Sequence, residues 1–201
     1  SKANAMFLFA RNFCTIIAML WLHTPVTLMA EQDVKLIDTR DSGDRHASSG
    51  NQWRLITDQV MGGVSQGQLS PDTVDGQPCL HMQGDVSLEN NGGFVQIGLD
   101  LSEEVLRDVQ DYTGLVLEVY GNNELYNVHL RTADIWLPWQ SYRATFTATP
   151  QWQSVYLPFA DFKPHRIGSE LDVSRLQRIG LVAIGRQFRA DLCVGKIGFY
   201  R

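Results

Sequence analysis

The feature that most limits the possible folds of this chain is an alternation of apolar and polar residues in short runs. Apolar side chains occupy every second position at Leu115, Leu117 and Val119, and again at Val128 and Leu130. Successive side chains of a strand point to opposite faces of a sheet, so this period predicts strands with one buried face. The predicted strands cover residues 53–56, 78–84, 94–101, 115–120, 126–132, 141–147, 153–159, 179–183 and 190–200.

The spacing of these strands predicts the fold class. Turn residues separate them at intervals of about 8–12 residues, which is typical of an antiparallel sandwich or barrel. Helical patterns are restricted to residues 102–109, where Ser102 is a candidate N-cap, and to a turn within 172–179. A chain of 201 residues can form one domain with a full core. We expect an all-β, antiparallel sandwich over 53–201, preceded by a strand or loop at 31–52.

Residues 1–30 have the pattern of a targeting segment. One Arg precedes an apolar run at 13–22, and Ala30 stands before the first acidic residue, Glu31. This order is typical of a secretory signal peptide, and the run is shorter than the ~20 residues of a membrane span. We expect a periplasmic or secreted protein with no stable membrane span after cleavage. An anchor formed by an uncleaved signal is the alternative, and residues 1–5, before Met6, are expected to be a tag remnant.

Two cysteines, Cys79 and Cys193, remain outside this segment. In an oxidising compartment two cysteines are able to pair, and no zinc-type spacing competes with that pairing. Each alternates with apolar neighbours, so both are predicted on outward faces of their strands. A disulfide therefore requires the two strands to be adjacent, which the sequence leaves open.

Several classes of function lack support in the sequence. The net charge is −5 and there is no run of Lys or Arg, which argues against nucleic-acid binding. The segment "VMGGVSQG" at 60–67 has no Lys and no helix pattern, so it does not match a phosphate-binding loop. His81 and His129 are predicted on outward faces as solvated side chains, without metal-ligand spacing. We expect no cofactor, no metal and no catalytic residue.

Paired glycines occur in two loops, at Gly62–Gly63 and in "ENNGGF" at 89–94. Taken alone, the Asn-Gly pair between alternating runs predicts a β-hairpin turn. Both loops also carry polar residues, and such loops converge at one end of a sandwich. We expect Asn90 and Asn91 to hydrogen-bond loop backbone while the glycines allow the two loops to pack closely, so that Asn90→Ala lowers stability before it affects binding.

The segment "DIWLPWQSY" at 134–142 is the best candidate for a ligand platform. Flat aromatic rings beside polar side chains are typical of sites that stack on sugar rings and hydrogen-bond hydroxyl groups. The competing interpretation is that these aromatic residues close one end of the core, where large aromatics are most often found. The candidate platform consists of Trp136, Trp139, Tyr142, Arg131 and Asp134.

Taken together, the loop sequences resemble a known family. "WRLITDQVMGGVSQG", "GDVSLENNGGFVQI" and "WQSVYLPFADFKP" occur in this order, and the chain from about 53 to 200 resembles the complex I intermediate-associated protein family, named for a thirty-kilodalton mitochondrial assembly factor. The resemblance implies a galactose-binding-like jelly roll and a non-enzymatic role, as in members that assist assembly of NADH:ubiquinone oxidoreductase. Its signature positions are Trp53, Asp58, Val60, Met61, Gly62, Gly63, Ser65, Glu89, Asn90, Asn91, Gly92, Gly93 and Phe94.

Two functional hypotheses follow. The first is an exported, non-enzymatic module that binds a protein partner or an assembling complex, which requires an exposed apolar patch near the loops. The second is a carbohydrate-binding module that uses the aromatic platform at 131–142. The second hypothesis fails if Trp136 and Trp139 are buried with no groove beside them.

Overall fold

The structure is a computed structural model that describes residues 32–201. The predicted tag remnant and signal peptide, and with them the alternative of a signal anchor, lie outside the described residues. Residues 32–201 form one compact unit. None of the helices in this range has the length and apolar character required to cross a membrane.

The described chain is built from strands with short helical connections. In chain order the strands are β1 (Val34–Asp38), β2 (Arg54–Thr57), β3 (Gln66–Val74), β4 (Gln77–Val86), β5 (Phe94–Asp100), β6 (Gly114–Tyr120), β7 (Glu124–Thr132), β8 (Ser141–Ala148), β9 (Gln153–Pro158), β10 (Lys163–His165), β11 (Leu176–Ile184) and β12 (Phe188–Tyr200). One short α-helix, α1 (Glu103–Leu106), follows β5. The 3-10 turns are Asp58–Met61, Glu89–Asn91, Val109–Asp111, Phe159–Asp161 and Val173–Arg175.

The strands form two antiparallel sheets. The back sheet has the order β3-β4-β12-β6-β9, with β1 also paired to β12, and the front sheet has the order β10-β8-β7-β11-β5-β2. Neighbouring strands in the back sheet come from distant parts of the sequence, as in the pairing of Leu115 with Phe199. The predicted all-β antiparallel sandwich is confirmed.

The core lies between the sheets and follows the alternation of the sequence. Leu115, Leu117 and Val119 point inward from the back sheet, and Val128 and Leu130 from the front sheet, all of them fully buried. Burying a side chain of this size contributes roughly 1.5–3 kcal/mol. The residues between them, such as Glu118 and His129, therefore lie on the outer faces of the sheets.

Each of the two predicted helical segments contains a helical turn, although α1 is shorter than the predicted 102–109. Ser102 caps α1, and its hydroxyl accepts a hydrogen bond from the backbone N–H of Val105 at 3.4 Å. Asp172 caps the 3-10 turn at Val173–Arg175 and accepts from the N–H of Ser174 at 3.0 Å. In both cases the cap satisfies a backbone donor that the helix leaves unpaired.

The sequence pattern missed β3 and β10 because neither strand alternates. β3 reads "QGQLSPDTV", with Leu69 as its single buried large side chain. It lies at the edge of the back sheet, where Pro71 is tolerated because one side of the strand has no neighbour to bond. β10 has three residues and also contains a proline at an edge, Pro164.

The prediction of a hairpin at "ENNGGF" is wrong. The strands on either side, β4 and β5, lie in different sheets and do not pair. The segment instead crosses from the back sheet to the front sheet through a 3-10 turn, with Asn90 and Asn91 at φ of 55° and 57°. Asparagine adopts this left-handed conformation more readily than most residues, which accounts for its presence here.

Cys79 and Cys193 form a disulfide between β4 and β12, with their Cα atoms 5.5 Å apart. The two strands are neighbours, and Cys193 pairs in register with His81, two residues from Cys79. Both cysteines lie outside the core between the sheets, on the outer face, and are nevertheless buried.

Candidate functional site

The two Gly-Gly loops meet at one buried carboxylate, that of Asp58. It accepts hydrogen bonds from the backbone N–H groups of Ser65 at 2.9 Å, Gly93 at 2.6 Å and Phe94 at 3.3 Å, and from the Ser65 hydroxyl. Asp58 is fully buried, yet its charge is balanced by these donors, as a buried carboxylate requires. We call Asp58, Ser65, Gly93 and Phe94 the Asp58 clasp.

The glycines of the two loops serve different physical needs. A Cβ at Gly63 would overlap the Asp58 carboxyl group, and a Cβ at Gly92 would lie 2.5 Å from its Oδ2. These two glycines therefore allow close approach to the carboxylate. Gly62 instead has φ of 88° and open space around it, so its role is to end the 3-10 turn in a left-handed conformation.

The clasp keeps its carboxylate ionised. Burial by itself raises the pKa of Asp58, but the hydrogen bonds from Ser65, Gly93 and Phe94 outweigh burial and leave the pKa below its ordinary value. The expected role of Asn90 and Asn91 needs correction, since both side chains are exposed and neither makes a hydrogen bond within residues 32–201. Their contribution to the clasp is backbone conformation.

Beside the clasp, the outer face of the front sheet carries a groove of about 560 Å³. This size lies within the range of small-ligand sites, roughly 300–1,000 Å³. Val60, Met61 and Phe94 line one end, next to the clasp, and Pro138 and Trp139 line the other. We call this feature the groove throughout.

The floor of the groove is a row of polar residues across three strands. His129 on β7 pairs in register with Arg143 on β8 and with Gly180 on β11. The absence of a side chain at Gly180 leaves space for Gln96, because a Cβ there would lie 2.8 Å from Gln96 Nε2. The floor therefore offers hydrogen-bonding groups at the base of an apolar-walled depression.

The structure brings together three of the five candidate platform residues. Trp136 and Trp139 are 88% and 48% exposed, on the loop between β7 and β8. Arg131 fixes this loop, since its Nη1 donates to the carbonyl groups of Leu137 at 3.1 Å and Gln140 at 2.7 Å. Trp139 and Arg131 line the groove.

The other two candidates do not belong to this platform. Tyr142 is 2% exposed and lies in the core, where its hydroxyl contacts the Ser169 hydroxyl at 3.2 Å. The alternation along β8 turns Tyr142 inward and its neighbours Ser141 and Arg143 outward. Asp134 is ion-paired with Arg175 at 2.6 Å and does not line the groove.

The prediction that His129 is solvated is also wrong. It is only 7% exposed and lies in the groove together with Arg143 and the loop residues Pro138 and Trp139. Burial lowers the pKa of His129 to about 3, and the positive charges of Arg143, His165 and Arg131 act in the same direction. His129 is therefore neutral at physiological pH.

Two functional groups of the groove, Arg143 and Gln96, were missed by sequence reasoning. The available signal was the polar half of each alternating strand, as in His129 and Arg131 on β7. That signal gives the face of each strand, but not which strands are neighbours. Within residues 32–201 no group of three or more His, Cys, Asp or Glu side chains is placed to hold a metal ion.

Comparison with known families places this geometry in context. The sequence profile described as "Complex I intermediate-associated protein 30 (CIA30)" matches residues 44–193. The chain belongs to this family. The matched range contains the whole Asp58 clasp, both walls of the groove and the two cysteines of the disulfide. No match was found among curated protein sequences.

Carbohydrate-binding modules are among the solved structures with a similar fold. A family 11 module from Clostridium thermocellum, in complex with a β-1,3-1,4-mixed-linked tetrasaccharide, superposes with a TM-score of 0.64 at 10% identity, over 83% of this chain and 94% of that one. A family 30 module of a cellulosomal cellulase of Clostridium thermocellum gives 0.53 at 15% identity, over 77% and 95%. At these identities the likeness concerns the fold, and it confirms the predicted jelly roll.

Proposed function

We propose that this CIA30-family chain is a non-catalytic binding module that holds an extended segment of a protein partner in the groove. One observation carries the proposal: exposed apolar side chains gather at both ends of the groove. Val60 and Met61 are exposed on the clasp side of the groove, and Trp139 on the opposite side. Leu88 and Trp136 are also exposed on the adjoining loops, although they do not line the groove. Concentrated exposed apolar surface is typical of interaction sites, whereas single exposed apolar residues are ordinary.

The chemistry of the clasp-side wall favours a polypeptide. Val60 and Met61 are flexible or branched aliphatic side chains, and such side chains pack against apolar side chains of a protein. A sugar ring is better matched by a flat aromatic face. Trp139 on the other side and the partly buried Phe94 on this side suit either kind of ligand, so the exposed aliphatic side chains of Val60 and Met61 decide between them.

The absence of catalysis is part of the proposal. Among residues 32–201, none of those that line the groove is acidic. The neutral His129, with its pKa lowered to about 3, is a weak base at physiological pH. These groups suit a site that binds its ligand by hydrogen bonds and charge.

We also propose that the protein works outside the cytoplasm, with an envelope or secreted protein as its partner. The signal-like pattern of residues 1–30 supports export. The Cys79–Cys193 disulfide supports the same compartment, because disulfides persist where the environment is oxidising.

Site-specific photocrosslinking tests the protein-binding proposal. A photoreactive phenylalanine analogue at Met61, which is 54% exposed, lies at the groove and should give a discrete adduct with one protein in the native cell. Tyr156, exposed to a similar extent on the back sheet, is the matched control position. Adducts of equal yield at both positions, or none at Met61, would contradict the proposal.

Carbohydrate binding is the second candidate, and Trp139 favours it. Its exposed ring stands beside a floor that contains Gln96, Ser141 and two arginines, which is a suitable arrangement for sugar hydroxyl groups. One protein of the same fold was solved with a tetrasaccharide. A glycan array with tryptophan fluorescence tests this candidate, and a response that Trp139→Ala removes would support it over a protein ligand.

A further inference from the structure

The charge of the groove is opposite to that of the whole chain. The chain has a net charge of −5, yet Arg131, Arg143 and Arg178 line the groove, together with His129. Within the described residues no Asp or Glu lines it. A positive site on a negatively charged protein raises the local concentration of anions and excludes cations.

The three arginines differ in how their charge is balanced. Arg178 is paired with Asp100, its Nε donating to Oδ1 at 2.5 Å. Arg131 and Arg143 have no acidic partner within 4.0 Å anywhere in residues 32–201. Two positive charges of the groove are therefore left for a ligand to balance.

Of these two arginines, Arg143 is the better placed to bind an anionic ligand. Arg131 already donates through Nη1 to loop carbonyl groups, which gives it a structural role. Arg143 donates through Nε to the Ser141 hydroxyl at 2.8 Å, and its two Nη groups make no hydrogen bond within residues 32–201. Two parallel N–H donors on one edge of a guanidinium group match the two oxygens of a carboxylate.

The surroundings make these charges unfavourable without a ligand. Burial lowers the pKa of Arg143, and Arg166 lowers it further. Burial also lowers the pKa of Arg131, followed by the effect of Arg178. An anion bound between the two guanidinium groups would relieve both effects, since it restores a partner for charges that have lost part of their hydration.

We propose that Arg143, assisted by Arg131, binds the carboxylate of an Asp or Glu side chain within the partner segment. This inference rests on the proposed function, and it adds the chemical class of the ligand. The apolar walls at the two ends of the groove fit apolar residues on either side of that acid. The recognised segment is thus an acidic residue between apolar residues in an extended chain.

Selection from a random peptide library tests this inference and does not require the natural partner. A phage-displayed dodecapeptide library is selected on the purified chain, and binders are kept only if Trp139→Ala weakens them, which restricts the set to groove ligands. We expect these binders to share an Asp or Glu flanked by apolar residues. Replacing that acid by its amide in a synthetic peptide should weaken binding about tenfold or more, the usual effect of a hydrogen bond to a charged group.

Variants of the protein assign the effect to Arg143. The Arg143→Gln protein should bind the acidic peptide and its amide with about equal affinity. The control is Arg189→Gln, at an exposed residue of the back sheet that is paired with Asp85, and it should keep the wild-type difference between the two peptides. If Arg143→Gln fails to fold, the salt dependence of the wild-type protein still tests whether the groove recognises the charge of the acid. Binding of the acidic peptide should weaken with NaCl more steeply than binding of its amide.

The outcomes separate this inference from the proposed function. Groove-dependent binders without an acidic residue would overturn the carboxylate inference and leave protein binding in place. A library that yields no groove-dependent binder would count against both. Arg143-dependent binding of trigalacturonate, with no peptide binder, would show that the groove takes an acidic sugar, and this result would also overturn the inference.

Discussion

The Asp58 clasp and the floor of the groove are neighbours that treat charge in opposite ways. In the clasp, a single buried carboxylate receives hydrogen bonds from Ser65, Gly93 and Phe94. On the floor, Arg143 is partly buried and has no acidic partner within residues 32–201. A buried carboxylate that receives all of its hydrogen bonds from the protein stabilises the fold. A guanidinium group without an acidic partner is instead available to bind a ligand.

This difference teaches that the family signature has two parts, one that stabilises the fold and one that lines the groove. The signature residues Gly63 and Gly92 allow close packing around the Asp58 clasp, and the clasp in turn places two other signature residues, Val60 and Met61, at one end of the groove. Substitutions in the clasp should therefore act on stability. Substitutions in the groove should act on binding, with little effect on stability.

The largest expected effect is that of Asp58→Ala. It leaves the backbone N–H groups of Ser65, Gly93 and Phe94 buried without an acceptor, and each such group costs about 1–3 kcal/mol. We expect the free energy of unfolding to fall by about 4 kcal/mol in urea denaturation. Glu89→Ala, at an exposed acid of the same loops, should change it by less than about 0.5 kcal/mol. Equal decreases of the free energy of unfolding in both variants would contradict a stabilising role for the Asp58 clasp.

The pH dependence of stability should reveal the buried, neutral His129. Its pKa is about 6.5 in an unfolded chain and about 3 in the fold, so between these values the unfolded state binds more protons. The free energy of unfolding should therefore fall as the pH decreases from 6.5 towards 3. In His129→Gln this fall should be smaller by roughly 3 kcal/mol at pH 4. Parallel profiles for the two proteins would contradict the assignment.

Two adjacent glycines provide a sharper test of the clasp. Gly63→Ala places a Cβ against the Asp58 carboxyl group, and such overpacking costs about 1–3 kcal/mol. Gly62→Ala meets open space and only strains a left-handed residue, at about 1 kcal/mol. The midpoint temperature of thermal unfolding should be lower for Gly63→Ala than for Gly62→Ala. The reverse order would mean that close approach to Asp58 is not the reason for the glycine.

Asn90→Ala should have the smallest effect in the clasp. The Asn90 side chain is exposed and makes no hydrogen bond within residues 32–201, so only the preference of asparagine for a left-handed backbone is lost. We expect a decrease of about 0.5–1 kcal/mol in the free energy of unfolding. A loss as large as that of Asp58→Ala would restore a hydrogen-bonding role for this side chain.

The sequence predicted the two-layered fold well, because burying one face of a strand requires an apolar residue at every second position. It also predicted that the Gly62–Gly63 and Gly92–Gly93 loops meet. It did not predict the crossing of "ENNGGF" between sheets, since the Asn-Gly signal is local and the partners of β4 and β5 are distant in sequence. β3 was missed because an edge strand with polar residues on both faces has no alternation to detect.

The site was predicted only in part for a related reason. Trp136, Trp139 and Arg131 are close in sequence, so a local pattern brings them together. The floor joins His129, Arg143 and Gly180 from three strands, and only the order of strands in the front sheet places them in one row. Tyr142 was assigned to the platform although the predicted strand began at Ser141, because the sequence did not show that this position of β8 points into the core.

The most direct test of the account combines binding and stability in one variant, Trp139→Ala. Its ring is half exposed at the groove, so the free energy of unfolding should change by less than about 0.5 kcal/mol. In the same variant, the photocrosslinked adduct formed from position 61 should fall to the level of the Tyr156 control. An adduct of undiminished yield in the stably folded variant would contradict the claim that the groove is the binding site.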